Sequence, residues 1–139
     1  MKRIHLHVNV DETKFDASVA FYRTLFGAEP TVTRDQYAKW SLDDPAVNFT
    51  IEVLEVAGDV PGIHHVGIQV DADGELEAIR KALQDAEAPL LEVGRTKCCF
   101  ADSEKHWTAD PQGIRWETFR SFGQLDDYGA QTDEELALY

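Results

Sequence analysis

The chain repeats one order of predicted elements, with an offset of about 60 residues between the two copies. The segment from His65 to Asp71, HVGIQVD, has the same frame as the segment from His5 to Asp11, HLHVNVD. Both read as histidine, two residues, an aliphatic residue, a carboxamide, valine and aspartate. Self-similarity over this length favours two copies of one β-α-β-β-β unit, which constrains the fold more than the propensity of any single segment.

In the first copy, residues 4–10 alternate between apolar and polar side chains. This alternation predicts a strand with both of its histidines and Asn9 on the polar face. Apolar residues at helical spacing predict a helix over about 15–26, and Gly27 is its stop signal. Three further strands are predicted, at about 30–34, 36–42 and 47–56.

The second copy begins near Gly62 with the strand that contains His65, and a helix is predicted after it over about 74–86. A matching strand near the end of each copy carries one glutamate, Glu52 in the first copy and Glu117 in the second. Strands and helices in this repeated order predict an α+β fold.

The composition is typical of a soluble globular protein, because 43% of the residues are hydrophobic and 28% are charged. The 13 basic and 26 acidic residues leave a net charge of −13 at pH 7. That charge repels phosphate backbones and anionic lipids, so we expect neither nucleic acid nor membrane surfaces as partners. Free thiols without a secretory segment or an apolar run of about 18 residues lead us to expect a reducing, bacterial-type cytoplasm.

The repeat turns scattered residues into a candidate metal site. If the two units pack about a pseudo-twofold axis, four equivalent side chains line one cavity: His5, Glu52, His65 and Glu117. Two imidazoles and one carboxylate are the facial arrangement typical of non-heme iron(II), with open positions for substrate or dioxygen. Both glutamates together would instead suit a Lewis-acid metal that binds no oxygen.

The other histidines are given structural interpretations. A strand histidine is more often a hydrogen-bonded core or surface residue than a ligand. His7 has a glycine as its counterpart in the second copy, and His64 is expected to point to the opposite face from His65. His106 is interpreted as structural or substrate-lining.

Cys98 and Cys99 are the two cysteines of the chain, and they are adjacent. A disulfide between neighbours is strained, because their Cα atoms lie only ~3.8 Å apart. The pair is therefore open to a thiophilic atom such as trivalent arsenic, cadmium, zinc or copper(I). On a regular strand the two side chains point to opposite faces, so chelation needs a loop or a bulge. The alternative is that the two thiols are small hydrophobic residues on either side of a strand.

From about Lys2 to Arg120 the chain resembles the vicinal oxygen chelate superfamily, which comprises glyoxalases, bleomycin resistance proteins and extradiol dioxygenases. The strands of His5 and His65, the end of the first helix and the turn that leads into Glu117 carry this resemblance. A narrower set of motifs, TKCCF at 96–100, KHW at 105–107 and DPQGIRWE at 110–117, is similar to the ArsI/CadI-like carbon–arsenic lyases.

The resemblance implies a domain organisation. One vicinal oxygen chelate domain would cover residues 1–121 and consist of two βαβββ repeats, about 2–60 and 62–121. These modules would form a half-barrel with a shared metal cavity. Residues 122–139 are expected to be an acidic C-terminal tail.

The resemblance also implies an activity, the iron(II)- and dioxygen-dependent conversion of a small organoarsenical such as methylarsenite to arsenite. Carried over residue by residue, His5, His65 and Glu117 would hold the iron. Cys98 and Cys99 would be the catalytic and substrate-binding thiols that hold the arsenic. In this superfamily the site is closed either within one chain or across a homodimer.

Two other functions stay open at this point. A glyoxalase-I-like isomerase or lyase would use nickel or zinc, with Glu52 as a fourth ligand and no role for the thiols. A non-catalytic protein would bind cadmium or arsenic through Cys98 and Cys99.

Overall fold

The structure is a computed structural model, and it describes residues 1–54, 58–98 and 101–124 of the 139-residue chain. In these ranges the strands are β1 (Arg3–Val10), β2 (Val32–Arg34), β3 (Tyr37–Asp43), β4 (Ala46–Val53), β5 (Gly62–Val70), β6 (Leu91–Cys98), β7 (Ala101–Ala109) and β8 (Arg115–Gln124). The helices are α1 (Phe15–Phe26), preceded by a 3-10 turn at Glu12–Lys14, and α2 (Asp73–Asp85). The α+β class and the predicted helices are confirmed.

The chain divides into two compact units. The first unit is Arg3–Val66, and the second unit comprises Met1–Lys2 and the chain from Gly67 onwards. The boundary lies inside β5. The division into repeats at 2–60 and 62–121 stays a prediction. Strand β8 continues beyond residue 121 to Gln124, and the rest of the predicted acidic tail lies outside the described residues.

The strands of the first unit follow the order β2-β3-β4-β1-β5. Strand β1 pairs with β4 in parallel, with His5 beside Asn48 and Asn9 beside Glu52. Strand β3 pairs antiparallel with both β2 and β4. This register places the polar positions of β1 and β4 side by side on one face of the sheet.

The other face of these strands forms the apolar core of the first unit. Its buried members are Val10, Ala38, Trp40, Val47, Phe49, Ile51 and Val53. Helix α1 packs Tyr22 and Phe26 against them, with the Tyr22 and Phe49 ring centroids 4.4 Å apart. The helix ends as predicted at Gly27, whose φ of 64° is a conformation that glycine adopts without steric cost.

The polar face of the first unit is buried as well. Its buried polar side chains include His5, His7, Asn9, Lys39, Asn48, Thr50, Glu52 and His65. A buried polar group needs a partner, because an unmet hydrogen bond in the interior costs about 1–3 kcal/mol. The alternation in β1 therefore separates an apolar core from a buried polar layer, and that layer holds the candidate site.

In the second unit, β8 and β6 lie on either side of β7, and both pair with it antiparallel. The β6–β7 register shifts between Glu92 and Gly94, so β6 carries a bulge before the cysteines. Cys98 is the last residue of β6, with Ala101 as its Cα partner, and Cys99 lies outside the described residues. Convergence of the two thiols thus stays a prediction. Neither described helix is long and apolar enough to span a membrane.

Gly67 allows close packing of two strands in the second unit. A Cβ atom at this position would lie 2.3 Å from the backbone oxygen of Glu117 on β8. Because that neighbour is backbone, it cannot rotate away. We expect Gly67→Ala to destabilise the protein by about 3 kcal/mol, the upper range for overpacking. Equilibrium unfolding in urea measures this, and Gly74→Ala, where a Cβ meets nothing within 4 Å, is the control.

Candidate metal centre

Strands β1 and β5 bring His5 and His65 together in the first unit. Their Nε2 atoms lie 3.3 Å apart, and the side chains are buried. Two nitrogen ligands at right angles, each about 2.1 Å from a metal ion, lie about 3 Å from one another. The two imidazoles therefore already have a separation that a divalent metal requires.

Asn48 orients the His5 ring. The Nδ1 atom of His5 lies 3.0 Å from the backbone oxygen of Asn48 and 3.2 Å from its Oδ1. Both atoms are hydrogen-bond acceptors, so Nδ1 carries the proton and donates. Nε2 then has the lone pair that a metal needs, and the ring is held on its other side as in many protein metal sites.

His7 joins this cluster, although its position in the repeat favoured a structural interpretation. Nitrogen atoms of His5, His7 and His65 all lie within 4.8 Å of one another. The His7 and His65 rings stack with centroids 4.8 Å apart. The signal for His7 was its position two residues after His5, which places both side chains on one face of β1.

Glu52 contacts His7 and is buried beside it. The Oε1 atom of Glu52 lies 3.2 Å from the Nε2 atom of His7. An imidazole N–H that donates to a carboxylate has its tautomer and orientation fixed by that contact. Glu52, a candidate fourth ligand from its sequence position, thus contacts His7, and its role as a ligand stays a prediction.

The expectation that His64 points away from His65 is wrong. Their Nδ1 atoms lie 2.8 Å apart, and the His64 ring also lies 5.6 Å from the His7 ring, between centroids. Alternation along a strand sets the direction of Cβ, but rotation about the side-chain bonds can still bring neighbouring rings together. Four of the five histidines of the chain therefore lie in this cluster: His5, His7, His64 and His65.

Glu117, the predicted carboxylate ligand, lies on β8 in the second unit. It is buried, and its Oε1 atom is 3.4 Å from the ammonium of Lys105, which is buried too. A buried carboxylate and a buried ammonium each need such a partner, because an isolated charge in the interior is costly. Its role as a ligand stays a prediction, as do the roles of His5 and His65.

The sequence profile of the Glyoxalase/Bleomycin resistance protein/Dioxygenase superfamily matches residues 4–118. The chain belongs to this superfamily.

Two curated relatives show where the chain lies in the superfamily. It is 40% identical over 119 residues to a trivalent organoarsenical cleaving enzyme from Bacillus sp. (strain MD1), covering 83% of this chain and 71% of that protein. It is 31% identical over 130 residues to the cadmium-induced protein CadI of Mycobacterium bovis, covering 94% and 83%. The resemblance to the ArsI/CadI-like proteins is therefore confirmed.

Solved structures of the superfamily share the fold. The 2,3-dioxygenase LapB from Pseudomonas sp. KL28 superposes with a TM-score of 0.64 at 20% identity, covering 95% of this chain and 44% of that one. A Mn(II)-bound glyoxalase from Novosphingobium aromaticivorans gives 0.63 at 18% identity, covering 96% and 43%. These likenesses concern architecture, because such different chemistries are supported by the same fold.

In this superfamily member, His106 lies on β7 within the second unit. Its Nε2 atom is 3.4 Å from the backbone oxygen of Leu76 on α2, and burial lowers the pKa of its imidazole. His106 also lines a cavity of about 480 Å³, together with Leu76, Arg80 and Glu104 among others. The contact with α2 agrees with a structural role and the cavity agrees with a substrate-lining role, so both interpretations of His106 stay predictions.

Lys39 is a buried amine on the polar face of the first unit, in register with Thr50. Burial lowers the pKa of its ammonium from 10.5 to about 8, because the charged form loses hydration. Between about pH 8 and pH 10.5, the Lys39 amine is protonated to a greater extent in the unfolded chain than in the folded chain. The free energy of unfolding should therefore rise with pH across this window, by up to about 1.4 kcal/mol per pH unit.

Lys39→Met should remove this rise. Urea unfolding at several pH values within and below the window measures it for the wild type and the variant. Lys81→Met, at an exposed lysine of α2, should keep the wild-type slope. Equal slopes for wild type and Lys39→Met would show that Lys39 titrates at its ordinary pKa.

Proposed function

We propose that the protein cleaves the carbon–arsenic bond of trivalent organoarsenicals of the methylarsenite type and releases arsenite, in a reaction that depends on iron(II) and dioxygen. The observation that carries this proposal is the buried His5–His65 pair, with Nε2 atoms 3.3 Å apart, in a chain 40% identical to a trivalent organoarsenical cleaving enzyme. Imidazole nitrogen is a suitable ligand for a divalent transition metal.

His5 and His65 would hold the metal. Comparison of the two sequence repeats suggests Glu117 as the carboxylate ligand beside them. Two imidazoles and one carboxylate favour iron(II), which supplies the activation of dioxygen when it is bound. The two imidazole nitrogens fit a divalent metal, because the contact of Asn48 with Nδ1 of His5 leaves its Nε2 atom facing that of His65. Nickel or zinc would also accept the imidazoles.

The thiols are proposed to bind the substrate. Methylarsenite would exchange its two hydroxyl groups for the sulfur atoms of Cys98 and Cys99 and keep its methyl group; the hydroxyl groups leave as two water molecules with the two thiol protons. Lys97 precedes the pair in the chain, and positive charge close to a thiol favours the thiolate that this exchange requires. The guanidinium of Arg95 is paired with Asp102 instead. A substrate held at two points is oriented for reaction, and orientation alone can contribute several kcal/mol to the barrier reduction.

The test is aerobic incubation of the purified protein with iron(II) and methylarsenite, followed by speciation of the arsenic. Arsenite should form with the wild type, and Cys98→Ser and Glu117→Ala should each abolish its release. Glu52→Ala should be milder, since Glu52 contacts His7 rather than His5 or His65. Glu29→Ala, at an exposed glutamate, is the matched control. Persistence of the methylated arsenical in the wild-type reaction would contradict the proposal.

Similarity to proteins named CadI favours a second candidate, the binding of cadmium or arsenic without turnover. A sequestering protein would bind these metals in a thiol-dependent manner and release no arsenite with iron(II) and air. Two variants distinguish a glyoxalase-I-like enzyme from the proposed lyase. A glyoxalase-I-like enzyme would lose activity with Glu52→Ala and keep it with Cys98→Ser.

A further inference from the structure

His64 connects a candidate metal ligand to a carboxylate. Its Nδ1 atom lies 2.8 Å from the Nδ1 atom of His65, and its Nε2 atom lies 3.7 Å from the Oδ2 atom of Asp59. The His64 side chain is 12% exposed and that of Asp59 is 29% exposed. All three residues belong to the first unit.

The short contact between the two Nδ1 atoms contains one hydrogen atom when both rings are neutral. Two arrangements are consistent with it, because either ring can be the donor. If His64 donates, His65 carries its own proton on Nε2 and points an N–H at His5. If His65 donates, its Nε2 atom has the lone pair that a metal requires. The direction of this hydrogen bond therefore decides whether His65 can act as a ligand.

Asp59 favours the second arrangement. A carboxylate near the Nε2 atom of His64 stabilises the proton on that atom, so the Nδ1 atom of a neutral His64 is an acceptor. His65 then donates from Nδ1 to His64, as His5 donates from Nδ1 to Asn48. Both Nε2 atoms, 3.3 Å apart, then have the lone pairs that a cation binds.

We propose that His64, with the carboxylate of Asp59 near its Nε2 atom, is a positioning residue that sets the metal-binding tautomer of His65. This inference rests on the metal site of the proposed function and extends it to two residues outside the predicted ligand set. Hydrogen-bond partners of metal-bound histidines typically change metal affinity by 10–100-fold when they are removed. His64 and Asp59 therefore act through His65 and need not contact substrate.

The test uses Co(II) and the full chain, with affinity measured by calorimetry and the ligand field read from the visible spectrum. His64→Leu should weaken Co(II) binding by about 10–100-fold. His64→Asn should recover most of this loss, because the Asn Oδ1 atom takes the place of Nδ1 as an acceptor. Asp59→Asn should weaken binding by a smaller factor. In the metal-free wild type, the ¹⁵N chemical shifts of the His65 ring should show that the proton is on Nδ1. In metal-free His64→Leu, they should show a larger population of the tautomer with the proton on Nε2.

Reference variants separate the possible failures. His5→Ala should lose Co(II) binding, and His106→Asn, in the second unit, should bind as the wild type does. If His5→Ala binds normally, the proposed metal site is wrong and the inference falls with it. If His5→Ala loses binding but His64→Leu keeps wild-type affinity, only the inference is overturned. If His64→Leu does not fold, the His64→Asn variant is used instead. The inference is overturned if the ¹⁵N shifts of that variant place the His65 proton on Nε2.

Discussion

Replacement of His65 by alanine is expected to weaken divalent-metal binding by roughly 100-fold or more, beyond the 10–100-fold typical of losing an outer hydrogen-bond partner. The Nε2 atom of His65 lies 3.3 Å from that of His5, so the variant removes one of the two imidazoles proposed to hold the metal. Arsenite release from methylarsenite should fall below detection. Calorimetry with Co(II) and the iron content after anaerobic reconstitution measure the first effect, and arsenic speciation measures the second.

The matched control is His106→Ala, which removes a buried histidine of the second unit. It should keep wild-type metal affinity if the protein is folded, as circular dichroism will show. A His65→Ala protein that retains its metal would show that the imidazole pair is not the metal centre. The substrate assignment would then rest on the relatives alone.

Trp40→Ala is expected to have the largest effect on stability, a loss of about 3–5 kcal/mol in the free energy of unfolding. Trp40 is fully buried on β3, where its ring packs against Tyr22, Phe26 and Phe49. Its Nε1 atom also donates a 2.9 Å hydrogen bond to the backbone oxygen of Ala28. The variant loses the buried apolar area, leaves a cavity and removes that donor.

Urea unfolding followed by far-UV circular dichroism measures this loss. Leu25→Ala is the control, since Leu25 is 61% exposed on α1 and its truncation should change stability by about 0.5 kcal/mol or less. A Trp40 variant within 1 kcal/mol of the wild type, roughly the average effect of any mutation, would contradict the packing of α1 against this sheet.

The elements of the fold could largely be predicted from periodicity. Strand β1 and helix α1 follow patterns of period 2 and about 3.6, and Gly27 ends the helix in the left-handed conformation that its position suggested. Such patterns are local, because each side chain's direction depends on its place along one strand or helix. For the same reason the α+β class was accessible without any knowledge of distant contacts.

The composition of the candidate site was less accessible. His5 and His65 occupy equivalent positions in the two repeats, and this equivalence identified them as candidate ligands. His7 and His64 have no histidine at the equivalent position, so the same comparison did not identify them. The structure places all four rings together. Ring–ring distances depend on side-chain rotation and on the order of strands in the sheet, and neither is encoded by spacing within a strand.

The sequence by itself determined the order of strands and helices, the pairing of equivalent histidines and the membership of the superfamily that was later shown. Only the tertiary structure decided that the polar face of β1 is buried, that Asn48 contacts the ring of His5 and His64 that of His65, and that Glu52 contacts His7. The physical reason is that periodicity sets which way a side chain leaves its strand. Its partners come from strands far away in the chain, and they are chosen by the parallel pairing of β1 with β4 and by the position of β5 beside β1.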